Sequence, residues 1–245
     1  MALRLAPRAG LAGSAAVHRL PGPQGLARFV TRCIALLGGS FDPVHHGHVA
    51  LATLFAGLLQ PDELRIIPAG KPWYKSGLRA SDADRVAMLE RAFKDAKLSV
   101  VLDMQEIERA APTYTVDTLK NVRAEVGPDA SVVFIMGADQ LRMLDTWREW
   151  RTLFELANIA VAARPGFALD HETLPPAVAD ELRRRLATPS EVRATAAGRV
   201  CVVQTLAVDI SATQVREAIR TGTDTNALIA PQVLDYIQQH NLYKS

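Results

Sequence analysis

Six short apolar runs recur along this chain, at 33–37, 64–67, 98–102, 131–136, 158–162 and 200–205, and segments with helical spacing lie between them. The runs are rich in Val, Ile and Leu and do not alternate with polar residues, which is the pattern of strands buried on both faces. Strand–helix alternation of this kind predicts an α/β fold: a doubly wound, Rossmann-like parallel sheet with helices on both faces. Helices are expected after residue 46, after Ser81 as an N-cap, and across 115–126, 148–156, 177–186, 213–221 and 231–240. In such sheets ligands bind beyond the carboxyl ends of the strands, where the winding reverses, so the loop after the first strand is the first place to look.

The first 32 residues differ from the rest. They hold Arg4, Arg8, Arg19, Arg28 and Arg32 and no acidic residue. We read 1–31 as a disordered extension or a start codon called too far upstream, although its composition also resembles an organellar transit peptide. A single α/β domain is expected over 32–245. The formal charge of +2 is carried by that leader: setting its five arginines aside leaves 23 basic against 26 acidic side chains. A general nucleic-acid binder is thereby disfavoured. No apolar run approaches the ~18 residues of a membrane span. Cys33 and Cys201 both fall within apolar runs without CxxC spacing, so they read as buried thiols in a reducing, cytoplasmic setting.

The loop after the first strand is GGSFDPVHHGHV, residues 38–49, which carries three of the six histidines. Its glycines permit a sharp turn and close approach of a ligand. A helix starting near His46 would present unpaired N–H groups, a ready anion site. His45 and His48 are three apart and point to one side, where imidazoles can donate to phosphate oxygens; His46 points elsewhere. A metal site is the competing reading, with Asp42 as a fourth ligand. The order lacks a standard zinc spacing, however, and the adjacent His45 and His46 diverge. Neither GxxxxGK[ST] nor GxGxxG is present, which removes a Walker P-loop and a hydride-transfer Rossmann site.

A second stretch, ISATQVREAIRTG at 210–222, follows the last apolar run. Ser211 and Gln214 form a capping-box pattern, so Ser211 opens a helix, with the Thr213 hydroxyl and the Arg216 guanidinium close to its start. GGSFDPVHHGH resembles the [GS][ST]FDPxHxGH signature of the nucleotidyltransferase superfamily, and ISATQVR resembles its ISSTxxR signature. KPWYKS (71–76), APTYTVDTL (111–119) and FIMGADQLRMLDTWREW (134–150) are similar to segments of one family within it, the bacterial nicotinate-nucleotide adenylyltransferases. The likeness runs from about residue 32 to the C-terminus, which makes 32–245 a single nucleotidyltransferase domain.

That resemblance implies an enzyme that transfers AMP from ATP, with Mg²⁺ accompanying ATP, to nicotinate mononucleotide, forming nicotinate adenine dinucleotide and pyrophosphate in NAD biosynthesis. It implies phosphate-holding roles for His45 and His48 and for Gly39, Ser40 and Phe41 around them. Ser211, Thr213 and Arg216 would bind the β- and γ-phosphates, and Lys75 matches a basic position. Gly137 and Asp139 match positions near the ribose and adenine, the latter also readable as a helix N-cap. Trp147 would stack on the pyridine ring, and the backbone N–H groups of Thr115 and Val116 would receive the nicotinate carboxylate. Two positions depart from the family pattern: Tyr74 stands where histidine is frequent, and Ala212 replaces the second serine. No metal held by the protein itself is expected. The alternatives are another adenylyl- or cytidylyltransferase, such as a phosphopantetheine adenylyltransferase, or a protein that binds metal through the histidine cluster. The sequence leaves monomer and homo-oligomer open.

Overall fold

The computed structural model describes residues 32–71, 78–163, 166–205 and 210–244. The Arg-rich leader at 1–31, and Tyr74 and Lys75, lie outside the described residues. Six strands run parallel in one sheet: β1 (Cys33–Gly39), β2 (Glu63–Pro68), β3 (Val101–Leu102), β4 (Ser131–Gly137), β5 (Asn158–Ala163) and β6 (Val200–Gln204). Their order is β3-β2-β1-β4-β5-β6, so the winding reverses between β1 and β4.

Both faces of β1 are buried, as its uninterrupted apolar sequence requires. Cys33, Ala35 and Leu37 face one core and Ile34 and Leu36 the other. The first core is covered by α1 (His46–Leu59), α2 (Asp82–Asp95), α7 (Pro189–Arg193), α8 (Ala212–Thr221) and α9 (Pro231–Gln239). The second is covered by α3 (Thr115–Val126), α4 (Ala138–Leu141), α5 (Leu153–Leu156) and α6 (Pro176–Arg185). This is the Rossmann-like α/β arrangement expected from the strand–helix alternation.

Two elements differ from the sequence reading, each for a local reason. The run at 98–102 yields only the two-residue β3, because Leu98 is used to close α2. Lys97 adopts φ 51°, and the Lys97 and Leu98 N–H groups bond back to Lys94 and Phe93 at 3.2 and 3.3 Å, a Schellman closure. The helix expected at 148–156 is broken by Glu149 at φ 50°, which no right-handed helix can pass through. A 3₁₀ turn at Trp150–Thr152 and the short α5 take its place. The short helix α7 is an addition to the expected elements; Thr188 caps it by accepting from the Glu191 N–H at 3.2 Å.

Candidate active site

The carboxyl end of β1 at the switch point opens into the histidine loop. After Gly39 the chain turns through Phe41, whose φ is 46°, and the buried Phe41 ring folds back over Gly39. A Cβ on Gly39 would lie 3.0 Å from that ring, so a side chain there would push the Phe41 ring out of place. Arg85, fully buried on α2, holds the turn from below by donating to the Ser40 carbonyl at 2.8 Å and the Ala69 carbonyl at 2.6 Å.

His45 is the N-cap residue of α1 and His48 sits three residues on. Their rings stack with centroids 3.7 Å apart, and Phe41 meets His48 edge-on at 4.8 Å. The His45 backbone N–H donates to His48 Nδ1 at 3.2 Å. Nδ1 is therefore the acceptor, and a neutral His48 carries its proton on Nε2 as a donor. Burial, reinforced by the neighbouring His46, lowers the His45 imidazole to about 4, so it is neutral near pH 7. Its Nδ1 is buried without a partner among the described residues. His46 turns away and bonds the Ala227 carbonyl at 3.2 Å. Among the described residues no three His, Cys, Asp or Glu side chains gather as metal ligands.

The second motif reaches the same place. Ser211 caps α8, its hydroxyl accepting from the Gln214 N–H at 3.2 Å. Arg216, one turn inside α8, donates from Nη1 to the Asp42 carbonyl at 2.6 Å and from Nη2 to the Thr213 hydroxyl at 3.1 Å. Residues 174 apart in sequence are thus joined directly, which brings the first turns of α8 against the loop that leads into α1.

Beside it, across β1 and β4, lies a cleft of about 340 Å³. Gly38, Gly39, Ile67 and Ala69 form its floor, and Thr113, Thr115, Phe134, Met143 and Trp147 line its walls. Trp147 is half-buried and edge-on to Phe134, with centroids 6.3 Å apart. Thr115 and Val116 are the first two residues of α3, whose leading N–H groups have no intrahelical acceptor. The Val116 side chain points into the core and does not line the cleft. Gly137 ends β4 two residues beyond Ile135, the last residue paired with β1, and is the N-cap of α4. Asp139 does not cap that helix, correcting one reading of it. It lies in the first turn, exposed, 3.7 Å from Arg142.

Among the charged residues that escaped the sequence reading, the fully buried Arg85 and the half-buried Glu106 bear on the site. Arg85 carried a signal, since it falls on the apolar stripe of α2 with Met88, Leu89 and Ala92. Glu106 carried none. It lines the cleft, accepts from the Thr118 hydroxyl at 2.7 Å, and has its carboxyl raised above the usual range by burial.

Comparison with known proteins gives this geometry a family. The cytidylyltransferase-like family model matches residues 36–218. A probable nicotinate-nucleotide adenylyltransferase of Herminiimonas arsenicoxydans is 56% identical over 216 residues, covering 88% of this chain and 99% of that protein. The chain belongs to the nicotinate-nucleotide adenylyltransferase family. A second such adenylyltransferase, the probable enzyme of Chromobacterium violaceum, is 44% identical, covering 86% of this chain and 98% of that one. The Plasmodium falciparum nicotinic acid mononucleotide adenylyltransferase, solved in complex with NaAD, shares the fold. Its TM-score is 0.65 at 20% identity, over 86% of this chain and 97% of that one.

Proposed function

We propose that the junction of the two motifs and the adjoining cleft carry out adenylyl transfer from ATP to nicotinate mononucleotide in NAD biosynthesis. A phosphate oxygen of the mononucleotide forms a bond to the α-phosphorus of ATP. The bond from that phosphorus to the α,β-bridging oxygen breaks, giving nicotinate adenine dinucleotide and pyrophosphate. The observation that carries this reading is the Arg216–Asp42 contact, which ties the α8 motif to the loop leading into α1, next to a cleft sized for a small ring.

Such a transfer needs positioning and charge stabilisation more than a protein nucleophile. The Nε2–H of His48 donates to phosphate oxygens as negative charge develops. His45 joins it, its imidazole regaining basicity beside phosphate charge. Gly39, Ser40 and Phe41 shape the backbone around the α-phosphate, and Arg216, Ser211 and Thr213 take the β- and γ-phosphates that leave. Trp147 stacks on the pyridine ring. The Thr115 and Val116 N–H groups receive its carboxylate, favouring an acid over an amide, whose NH₂ would oppose a donor. Gly137 and Asp139 lie toward the nucleoside.

Mg²⁺ enters with ATP, which needs its charge neutralised. The loop carboxylate, Asp42, has both oxygens engaged by protein donors, so the ion would be held mainly through the phosphates it neutralises and not by Asp42. No helix among the described residues is long and apolar enough to cross a membrane. Two buried thiols, with Cys201 raised by burial to about 11, fit a cytoplasmic enzyme.

Pyrophosphate release from ATP, measured in parallel with nicotinate mononucleotide, its amide and phosphopantetheine, tests the reading. Turnover is expected to be fastest with the acid. A preference for phosphopantetheine, or no turnover with any acceptor, overturns it.

A further inference from the structure

Asp42 is almost fully buried, and four donors from three other parts of the chain converge on it. The backbone N–H groups of Arg79 and Ala80, just before α2, reach its carboxylate at 2.8 and 3.1 Å. Its main-chain carbonyl accepts from Arg216. The fourth donor is the hydroxyl of Tyr243, which reaches Oδ1 at 2.7 Å from beyond the end of α9, 201 residues away.

Tyr243 is buried, and its backbone sits at φ 62°. A bulky residue in the left-handed region is strained and persists only where its surroundings fix it. The Leu242 N–H bonds back to the Ile237 carbonyl at 3.0 Å, and the phenol is driven inward onto Asp42. Burial, and then the bond to Asp42, raise the phenol above its ordinary value, so it remains a donor at neutral and mildly alkaline pH. Only the buried Pro43 and Val44 separate Asp42 from His45, so a rotation of the Asp42 peptide is transmitted to the start of α1.

We propose that Tyr243 is a positioning residue for adenylyl transfer: through Asp42 its hydroxyl fixes the carbonyl that aims Arg216 and the turn that seats His45. This rests on the function proposed above. Tyr243 is buried behind the loop and reaches the phosphates only through these neighbours. Losing its hydroxyl therefore loosens the pyrophosphate end of the site and leaves the pyridine cleft as it was.

The test uses the full chain, first establishing turnover of ATP with nicotinate mononucleotide by the wild type. Absence of that wild-type turnover counts against the proposed function, whereas a failure confined to the variants counts against the role of Tyr243. Tyr243→Phe is expected to lower kcat by about 5- to 20-fold, the scale of one lost hydrogen bond to a charged group, with KM for the mononucleotide changed less than about twofold. In an Arg216→Lys background the same change should cost less than about twofold, because its effect travels through Arg216. Tyr236→Phe supplies a matched control. It removes a phenol–carboxylate bond of 2.9 Å from α9 to Asp84 on α2 and is expected to leave kcat unchanged. Wild-type kcat in Tyr243→Phe, an equal loss in the Arg216→Lys background, or an equal loss from Tyr236→Phe overturns the proposal. If Tyr243→Phe does not accumulate, Asp42→Asn weakens the same contact from the other side. It should then lower kcat with the same unchanged mononucleotide KM, and a normal kcat there overturns the proposal.

Discussion

At the scale of single residues, the two stacked histidines separate by environment. His48 keeps a donor on Nε2 because its other nitrogen is occupied by the His45 N–H. His48→Ala is expected to lower kcat by roughly 10²–10³-fold, the usual cost of one transition-state donor, with thermal unfolding unchanged; an effect under tenfold removes it from the phosphate machinery. His45 makes a different prediction, about stability. Its imidazole titrates near 4 in the folded chain and near 6.5 when unfolded. Between those values the unfolded chain holds the proton and the folded chain does not. His45 therefore lowers stability as pH falls from about 6.5 towards 4, by on the order of 3 kcal/mol when complete. Urea unfolding at pH 7 and pH 4.5 should show His45→Gln gaining on the wild type at the lower pH; a pH-independent difference contradicts the assigned burial effect. Trp147→Ala should raise KM for nicotinate mononucleotide by about 3- to 10-fold, the worth of an aromatic stack, with KM for ATP unchanged. Steady-state kinetics with each substrate varied in turn check it. These residues are legible in the sequence because each sits in a dense local motif. Arg85 is visible there only as a charge on an apolar stripe, and Glu106 and Tyr243 stand in segments that look ordinary until folded.

At the scale of elements, α2 and α8 begin alike, and comparing them separates capping from catalysis. Ser81 accepts from the Asp84 N–H at 3.1 Å, and Ser211 accepts from the Gln214 N–H at 3.2 Å. Ser81→Ala and Ser211→Ala should each cost about 1 kcal/mol of stability by denaturant titration. Only Ser211→Ala should also lower kcat, because only α8 starts at the proposed phosphate site; equal activities would confine Ser211 to its cap. Helix starts of this kind are readable from Ser-x-x-Asp and Ser-x-x-Gln spacing. Element ends are less readable: Leu98 has the pattern of strand and Glu149 that of helix, yet their neighbours force a Schellman closure and a left-handed break. Periodicity reports which face is buried, and it is silent on where a backbone leaves the helical region.

At the scale of the whole molecule, the site depends on contacts between segments that share no local pattern. Gly70, just past β2, lies so close to the 103–113 connection that a Cβ there would meet the Glu106 carbonyl at 1.9 Å, a position only backbone movement could relieve. Gly70→Ala is therefore expected to lower the melting temperature and to raise KM for the mononucleotide, since Ala69 and Glu106 both line the cleft; calorimetry and kinetics that matched the wild type would mean the two segments separate freely. The parallel α/β sheet, the two anion-binding motifs and their family are legible in the sequence, because strand burial, helix capping and a dense signature are local properties of consecutive residues. Long-range packing was needed to bring Arg216 onto the Asp42 carbonyl, to set the tail phenol of Tyr243 on Asp42 from the other side, and to place the half-buried Glu106 in the cleft wall. Those pairings join residues up to 201 positions apart. They follow from how the helices pack over the two faces of the sheet, a geometry that no window of sequence contains.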